Sequence, residues 1–465
     1  MIRIAVLALV LFASNARAQN PPAAGHEGQI PAAQQAAQRP APEGVALGLQ
    51  EMERMALERN PTLLQAAANI RAAQGRSKQA GLYPNPSIAV ANPDLSYGPI
   101  IRGGEWGFLV QQDIVLGGKL SLSRRAAEQE VVKAQAQAEA QRLRVLTSVR
   151  GFFYQALAAQ RKVEVRSRLL NLVREAVTTS RQLQNVGQAD LPDVLEIEIE
   201  EHNAEIALMS ARNEQRQIWV QLASVVGDPT LNITPLEGDL ENLPAFDAQQ
   251  TLARLLAESP EVKIANAEIT RAEFALQRAR REPIPNLNIE GGLHYNRELL
   301  EVGQRPIGTQ GSIAVGIRLP LFDRNQGNVE AARADLERAQ RETDRVALSL
   351  RSRLAVALRQ YQDAQIIVEK YRVEMLPRAR RAYELYLAGF RQMAAAYPQA
   401  LIAQRTLLQL QDGYDEALSD LWGRAVEIEG LLLEGGLQAP GGNIEGEGAN
   451  ADLMNVRSRL DSRER

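Results

Sequence analysis

Residues 286–296 read Asn-Leu-Asn-Ile-Glu-Gly-Gly-Leu-His-Tyr-Asn, and this stretch decides the class of fold. One face of an extended chain here is apolar or small, with Leu287, Ile289, Gly291, Leu293 and Tyr295. The alternate positions are Asn286, Asn288, Glu290, Gly292, His294 and Asn296. A period of two over about ten residues is typical of a barrel strand between lipid and water. A half-buried strand of a soluble protein gives the same pattern.

Three further segments have the same alternation, so the sequence predicts four strands. The partner of the first strand has Ile313, Val315, Ile317 and Leu319 on one face, against Ser312, Ala314, Gly316 and Arg318. Earlier in the chain, Trp106, Phe108, Val110, Ile114 and Leu116 form one face, and residues 87–91 form a weaker strand. Four strands cannot close a membrane barrel, because the smallest known use eight. Three copies of the chain would supply twelve, which predicts a homotrimer.

Very long helices are the other main feature. Residues 329–390 contain proline only at Pro377, and an apolar stripe recurs about every 3.5 residues, typical of a coiled-coil seam. The stripe consists of Leu336, Ala339, Thr343, Val346, Leu350, Leu354, Ala357, Tyr361, Ala364, Val368, Tyr371 and Met375. Its equivalent in the first half runs from Leu120 to about Gln184. Each helix would be about 95 Å long, so it spans a distance instead of folding into a globular core.

The chain also repeats itself. Asn60-Pro61 corresponds to Ser259-Pro260, and each pair is predicted to open a helix. The other corresponding segments are residues 84–86 and 283–285, residues 116–119 and 322–325, and Trp219 with Gly227 and Trp422 with Gly430. We therefore expect two repeats, over residues 48–245 and 246–435. Each half is predicted to contain a helix, two strands, a long helix, a turn and a returning helix.

The terminal regions are predicted to lie outside the folded part of the chain. Arg3, the apolar run 4–13 and Ala16-Arg17-Ala18 have the pattern of a signal peptide over residues 1–18, with the mature chain starting at Gln19. Residues 19–47 and 436–465 lack hydrophobic periodicity, so we expect a flexible leader and a flexible tail. The sequence has no cysteine, which excludes lipid attachment at an N-terminal cysteine. The net charge of −3 argues against nucleic acid as a partner.

Catalysis, cofactors and a resident metal are not indicated by any motif. The three histidines, His26, His202 and His294, are far apart and none has a partner at metal-ligand spacing. The sequence also lacks a nucleophile with a supporting base motif and a phosphate-binding glycine loop. We therefore expect no enzymatic activity, no catalytic residue, no metal-ligand set and no cofactor.

Together, the signal peptide, the duplication, the paired strands and the long helices resemble the outer-membrane factor family, the TolC-like channels. The resemblance covers about residues 48–435. The strand-to-helix junctions Leu-Gly-Gly-Lys at 116–119 and Leu-Pro-Leu-Phe-Asp-Arg-Asn-Gln-Gly-Asn at 319–328 resemble the cobalt-zinc-cadmium efflux branch. The family implies a mixed α/β membrane protein, trimeric, with one twelve-stranded outer-membrane barrel in contact with lipid and a periplasmic helical tunnel. It also implies two partners, a periplasmic adaptor and an inner-membrane resistance-nodulation-division (RND) pump.

Two turns are the candidate functional sites. In the family, such turns form the periplasmic tips where the adaptor docks. The candidate contacts are Gly187, Gln188, Ala189, Asp190, Leu191 and Pro192 in the first turn, and Gly389 and Pro398 in the second. Asp193, Glu196 and Glu200 are spaced by three and four, so they share one helical face and would form acidic rings in a trimer. An ordinary solvated helix face gives the same spacing.

The leading hypothesis is a passive duct that exports divalent heavy-metal cations such as cobalt, zinc and cadmium. A duct for drugs or organic solutes is the alternative within the same class. A periplasmic coiled-coil adaptor or scaffold is the alternative from another class, but it does not explain strands of the lipid-facing type.

Overall fold

The computed structural model describes residues 47–91, 105–187, 190–299, 306–391 and 397–440. The predicted signal peptide, the leader up to residue 46 and the tail from residue 441 lie outside the described residues. The described part of the chain begins with the short strand β1 (Leu47–Gly48). At the other end, the Gly436 N–H donates to Ser148 Oγ at 2.9 Å, so the start of the expected flexible tail is packed against the helices.

Four strands form one antiparallel sheet in the order β2 (Ser87–Ala91), β3 (Glu105–Ile114), β5 (Leu287–Leu299) and β6 (Pro306–Ile317). The central pair, β3 and β5, joins the two halves of the chain. Its register places Phe108 opposite Leu293, and β5 places Ile289 opposite Val315 on β6. This register confirms the predicted alternation, because facing partners in a sheet point to the same side. The apolar face includes Ile88, Val90, Trp106, Phe108, Val110, Leu293, Ile313, Val315 and Ile317.

The first half contains α1 (Leu49–Arg59), α2 (Pro61–Ala80), α3 (Lys119–Asn185) and α4 (Leu191–Val226). The second half contains α5 (Ala248–Glu258), α6 (Pro260–Arg281), α7 (Gln326–Glu369), a π-helical stretch (Lys370–Met375), α8 (Leu376–Arg391) and α9 (Tyr397–Glu429). The order helix, strand, strand, long helix, turn, helix therefore occurs in each half. A short strand β4 (Leu236–Glu237) pairs in parallel with β1 between the two halves.

The predicted helix starts at Pro61 and Pro260 are confirmed, and each has a side-chain cap. Asn60 Oδ1 accepts from the Thr62 N–H at 2.9 Å, and Ser259 Oγ accepts from the Glu261 N–H at 3.2 Å. Proline is favourable at the first helical position because that residue has no N–H to satisfy.

The two junction motifs hold the long helices against the end of α6. Gly117 and Gly118 have φ values of 75° and 70°, so the chain turns through the left-handed region that glycine adopts without strain. Lys119 is buried, and its Nζ donates to the Ile284 carbonyl at 2.8 Å. In the second junction, Asn325 Nδ2 donates to the Ala279 carbonyl at 2.9 Å. Each motif therefore ends a strand and fixes the position of the next helix.

The apolar stripe of the second long helix is confirmed over most of its length and wrong at its end. The members from Ala339 to Val368 are buried, apart from the half-buried Thr343, but Met375 is exposed. The cause is the π-helical stretch at residues 370–375, because a wider helical turn shifts the phase of every later side chain. Pro377 follows directly and lacks the N–H that a regular helix needs at that position.

The core lies where the middle of α3 meets α1, α5, α7 and the C-terminal parts of α4 and α9. Its largest buried side chains include Phe153, Met52, Leu222, Leu350 and Leu418. Two tryptophans dock on the segment between α4 and α5. Trp219 Nε1 donates to the Leu231 carbonyl at 2.8 Å, and Trp422 Nε1 donates to the Leu240 carbonyl at 2.9 Å.

The glycines that follow these tryptophans are not equivalent, although their spacing is identical. Gly227 ends α4 with a φ of 84°, whereas the positive φ values after α9 belong to Leu431 and Leu432. Gly430 serves a different purpose, because a Cβ there would lie 1.9 Å from Thr147 Oγ1. The second glycine thus permits close packing on α3 and does not supply the turn.

Candidate functional site

The first helical turn reverses the chain between α3 and α4, as predicted. The Gly187 N–H donates to the Gln184 carbonyl at 2.9 Å, and Gly187 has a φ of 74°. Gln188 and Ala189 lie outside the described residues. Asp190 stands at the N-cap of α4 without a side-chain capping hydrogen bond, and Leu191-Pro192 form the first two helical residues. The turn is short, and a glycine occupies the position that needs a left-handed backbone.

The three acidic residues of the predicted ring lie on one helical face, but they have different environments. Asp193 and Glu196 are exposed. Glu200 is half-buried and forms an ion pair with Arg405 of α9. Of these three residues, Asp193 and Glu196 form no ion pair with any described residue, whereas Arg405 balances the charge of Glu200. Arg405 follows Glu200 by 205 positions, so no local spacing in the sequence indicates this pair.

The other carboxylates of the same acidic run point at α3. Glu198 pairs with Arg181 at 2.8 Å, and Arg174 pairs with Glu201 at 3.1 Å and Glu205 at 2.7 Å. The hydrogen bond from Arg174 is the main cause that lowers the pKa of Glu205. Lys162 extends this series with Glu214 at 2.8 Å. A series of arginine–carboxylate and lysine–carboxylate pairs therefore connects the two helices of the first hairpin.

The second turn is described only in part. Gly389 lies inside α8, two residues before its end at Arg391. Residues 392–396, which include Ala394-Ala395-Ala396, lie outside the described residues. Pro398 is the second residue of α9, which begins at Tyr397. The structure thus places the candidate contacts Gly389 and Pro398 at the ends of the two helices that flank this turn.

One ion pair that sequence reasoning missed joins the two halves. Arg166 of α3 pairs with Asp412 of α9, and both side chains are largely buried. Burial raises the pKa of Asp412, although the Arg166 charge opposes that shift. Among the described residues, Arg166 Nε and Asp412 Oδ1 have no hydrogen-bond partner. The two residues are 246 positions apart in the chain, so only the packing of α9 on α3 brings them together.

The histidines have separate surroundings. His202 is exposed and lies 3.5 Å from Glu205, and His294 Nε2 lies 3.2 Å from Gln310 Oε1 across the β5–β6 pair. His26 lies outside the described residues. Among the residues that the structure covers, no three histidine or carboxylate side chains converge at metal-ligand distances. Nowhere in those residues does a helix combine the length and the apolar content needed to cross a membrane.

A family model described as "Outer membrane efflux protein" matches residues 53–228 and again residues 251–429. The chain belongs to this family. The first matched segment contains α2 to α4 with β2 and β3, and the second contains α6 to α9 with β5 and β6. Outer membrane efflux proteins are transport proteins and not enzymes.

Curated relatives place the chain near metal-resistance proteins. It is 26% identical to the cobalt-zinc-cadmium resistance protein CzcC of Cupriavidus metallidurans, over 80% of this chain and 87% of the relative. It is 25% identical to the nickel-cobalt-cadmium resistance protein NccC of Alcaligenes xylosoxydans xylosoxydans, over 62% of this chain and 64% of the relative. The predicted similarity to the cobalt-zinc-cadmium branch is confirmed.

The fold is also that of solved outer membrane channels. The open state of the MtrE outer membrane channel of Neisseria gonorrhoeae superposes with a TM-score of 0.67, over 85% of this chain and 91% of that chain. The sequence identity is 18%, so this likeness concerns the fold alone.

Proposed function

We propose that the protein is the outer-membrane duct of a tripartite RND efflux system and passively conducts divalent heavy-metal cations such as cobalt, zinc and cadmium. Three copies assemble into a homotrimer whose strands form one twelve-stranded barrel in lipid. The helices form the periplasmic tunnel. The energy comes from the inner-membrane pump, and a periplasmic adaptor connects the pump to this chain.

The sheet is the single observation that carries the proposal. One of its faces exposes a continuous set of large apolar side chains, of which Ile313 is 84% and Ile88 is 74% exposed in a single chain. An apolar face of this size is costly in water and favourable in lipid. Within the described residues, β2 and β6 each pair with one neighbour only. Their unpaired backbone groups need strands from other copies, because lipid supplies no hydrogen-bond partners.

The helices support a tunnel. The 67 residues of α3 extend about 100 Å. Toward the strands, α3 packs against α2 and α6, and toward the turns it packs against α4 and α9. Different helices therefore cover different parts of α3 along its length.

The metal cargo is supported by the relatives. The two metal-resistance proteins CzcC and NccC are named for cobalt, cadmium, zinc and nickel, and both match over more than half of this chain. The exposed Asp193 and Glu196 beside the first turn would attract cations. We place adaptor docking at residues 187–192 and around Gly389 and Pro398, where the hairpins end.

The test is genetic and direct. A strain that lacks the chromosomal copy of this chain should become sensitive to cobalt, zinc and cadmium and should recover when the chain is returned. The purified protein should crosslink as a trimer and should fractionate with outer membranes. A chain found only as a monomer in the soluble periplasm would contradict the duct itself.

The cargo is tested separately. If the deletion strain is sensitive to organic toxicants but keeps its metal tolerance, the duct exports organic solutes and the metal assignment is wrong. Val315→Arg, which places a charge on the apolar sheet face, is a matched control because it should abolish both assembly and tolerance.

A further inference from the structure

An acidic groove of about 450 Å³ lies between α3, α4 and α9, far along the helices from the predicted tip residues. Its lining contains seven carboxylates but only two cationic side chains, Lys162 and Arg424. The carboxylates are Glu214, Asp412, Asp415, Glu416, Asp420, Glu427 and Glu434. Such an excess of one sign in a concave surface concentrates counter-ions.

Some of these charges are already balanced. Lys162 pairs with Glu214 at 2.8 Å, and Asp412 pairs with Arg166 behind the groove. Arg424 lies 3.6 Å from Asp420 and 3.7 Å from Glu427, so a single guanidinium is shared by two carboxylates. The remaining negative charge belongs mainly to the residues without an ion pair.

Asp415 is the decisive residue. It is only 9% exposed, lines the groove, and forms no hydrogen bond or ion pair with any residue that the structure describes. A buried carboxylate without a partner is costly when ionised. Burial is the main cause that raises the pKa of Asp415 to about 6; the Arg161 charge opposes this shift, and the neighbouring Asp412 adds to it. A cation in the groove would supply the missing partner.

The residues of α3 that line the groove lie on the side opposite to the segment between α4 and α5. Successive residues of a helix are rotated by about 100°, so Phe153, Leu157 and Gln160 lie opposite Gln155 and Lys162. Phe153, Leu157 and Gln160 are covered by the segment between α4 and α5. The Leu236 N–H of β4 donates to Gln160 Oε1 at 2.9 Å, and Leu157 packs on Gly238. In the proposed tunnel we place this segment on the outside of the wall, where it leaves the bore open, so that the groove faces the bore.

We propose that this groove is a transit site for hydrated divalent metal cations inside the tunnel, and this assignment of a site rests on the proposed function for its cargo. The ion is bound through its water shell, because no three ligands converge among the described residues. The volume allows this, since each water occupies about 30 Å³ of liquid. Binding through water is weak, and a duct requires weak binding because the ion must also leave.

The experiment uses the full-length purified trimer in detergent and Co²⁺ in equilibrium dialysis at pH 7.5. Asp415→Asn keeps the shape of the side chain and removes the unpaired charge, so the affinity for Co²⁺ should fall about tenfold. Glu337→Gln on the exposed face of α7 removes one equal charge elsewhere. This control should bind Co²⁺ like the parent chain. Equal affinities of the two variants would overturn the proposal.

Two further measurements, a second variant and the pH dependence of binding, test the same proposal. Asp415→Asn should fold, because it removes a carboxylate whose ionised form is destabilised by burial. If it does not fold, Glu434→Gln at the groove should lower the affinity about threefold while Glu337→Gln does not. The parent should also lose affinity for Co²⁺ as the pH falls from 7.5 to 5, because protons occupy Asp415. The charged groups around Asp415 are Arg161, Lys162, Arg166, Glu241 and Asp412.

The outcome separates the two proposals. If the trimer binds Co²⁺ in the groove but the deletion strain keeps its metal tolerance, the cargo assignment fails and the groove remains a cation site. If the strain is metal-sensitive but Asp415→Asn binds Co²⁺ like the parent, the duct stands and the groove proposal is wrong.

Discussion

In the first hairpin, α3 runs for 67 residues without a break and its basic side chains pair with carboxylates of α4. In the second hairpin, a π-helical stretch interrupts the long helix at residues 370–375. Around that stretch, charged side chains pair along the same helix, as Glu374 does with Lys370 and Arg378. We infer that the first hairpin is stiffened by contacts across its two helices and that the second is freer to bend. In the core and in the sheet, the two halves are much more alike.

Substitutions in the core test the likeness of the two halves, and they should have the largest effect on the free energy of unfolding. Trp219→Ala and Trp422→Ala should each lower the free energy of unfolding by about 3–5 kcal/mol, because each leaves a cavity. Trp422→Ala should lower the free energy of unfolding by about 0.5–1.5 kcal/mol more than Trp219→Ala, because Trp422 also stacks on Tyr154 at a ring-centroid distance of 3.7 Å. Urea unfolding of the solubilised protein, followed by circular dichroism, measures the difference. Leu348→Ala on the exposed helix surface is the control and should change stability by less than about 0.5 kcal/mol.

Arginine substitutions on the apolar face of the sheet should impair trimer assembly equally in both halves. Val110→Arg on β3 and Val315→Arg on β6 place a charge on the apolar face, which costs about 2–4 kcal/mol near the middle of the bilayer. Ile289→Arg belongs to the same group. Asn288→Arg is the control on the polar face, where Asn288 Nδ2 contacts Asp113 Oδ1 at 2.8 Å. The fraction of crosslinked trimer should fall in the first three variants only. Equal assembly of all four would show that the faces are assigned wrongly.

Removal of an ion pair should affect backbone hydrogen exchange more in the first hairpin than in the second. Arg174→Gln removes two contacts between α3 and α4, so backbone hydrogen exchange near the first turn should become faster. Arg378→Gln breaks a contact inside one helix and should leave the exchange of the second hairpin nearly unchanged. Exposed pairs contribute little each and are screened by salt. The difference should therefore shrink at high ionic strength. If both variants accelerate exchange to the same extent, the contrast between the hairpins has another cause.

The smallest expected effect concerns the first tip. Asp193→Asn combined with Glu196→Gln removes unbalanced charge, so the preference of the channel for cations should fall in single-channel recordings. Glu200→Gln combined with Arg405→Gln removes a balanced pair and should leave the preference unchanged. Equal selectivity of both double variants would indicate that Asp193 and Glu196 are an ordinary solvated helix surface.

Much of the fold was predictable because it is periodic. Alternation at every second residue identified the strands, and Asn60, Ser259 and their following prolines identified helix starts. The prediction was wrong at Met375, because a π-helical stretch changes the phase of the stripe without any change in composition. The prediction was also incomplete at Gly430. This residue has the same spacing from its tryptophan as Gly227, but it has a different backbone conformation and a different contact.

The sequence by itself determined the class of protein, the four strands and the positions of both turns, because periodicity and glycine or proline punctuation act over neighbouring residues. Only the tertiary structure decided which charges remain free. Arg405 balances Glu200, Arg166 balances Asp412, and Asp415 in the groove forms no hydrogen bond or ion pair with any residue that the structure covers. The partners in these pairs lie more than two hundred residues apart. Electrostatic attraction depends on distance in space and on burial, and neither can be read from distance along the chain.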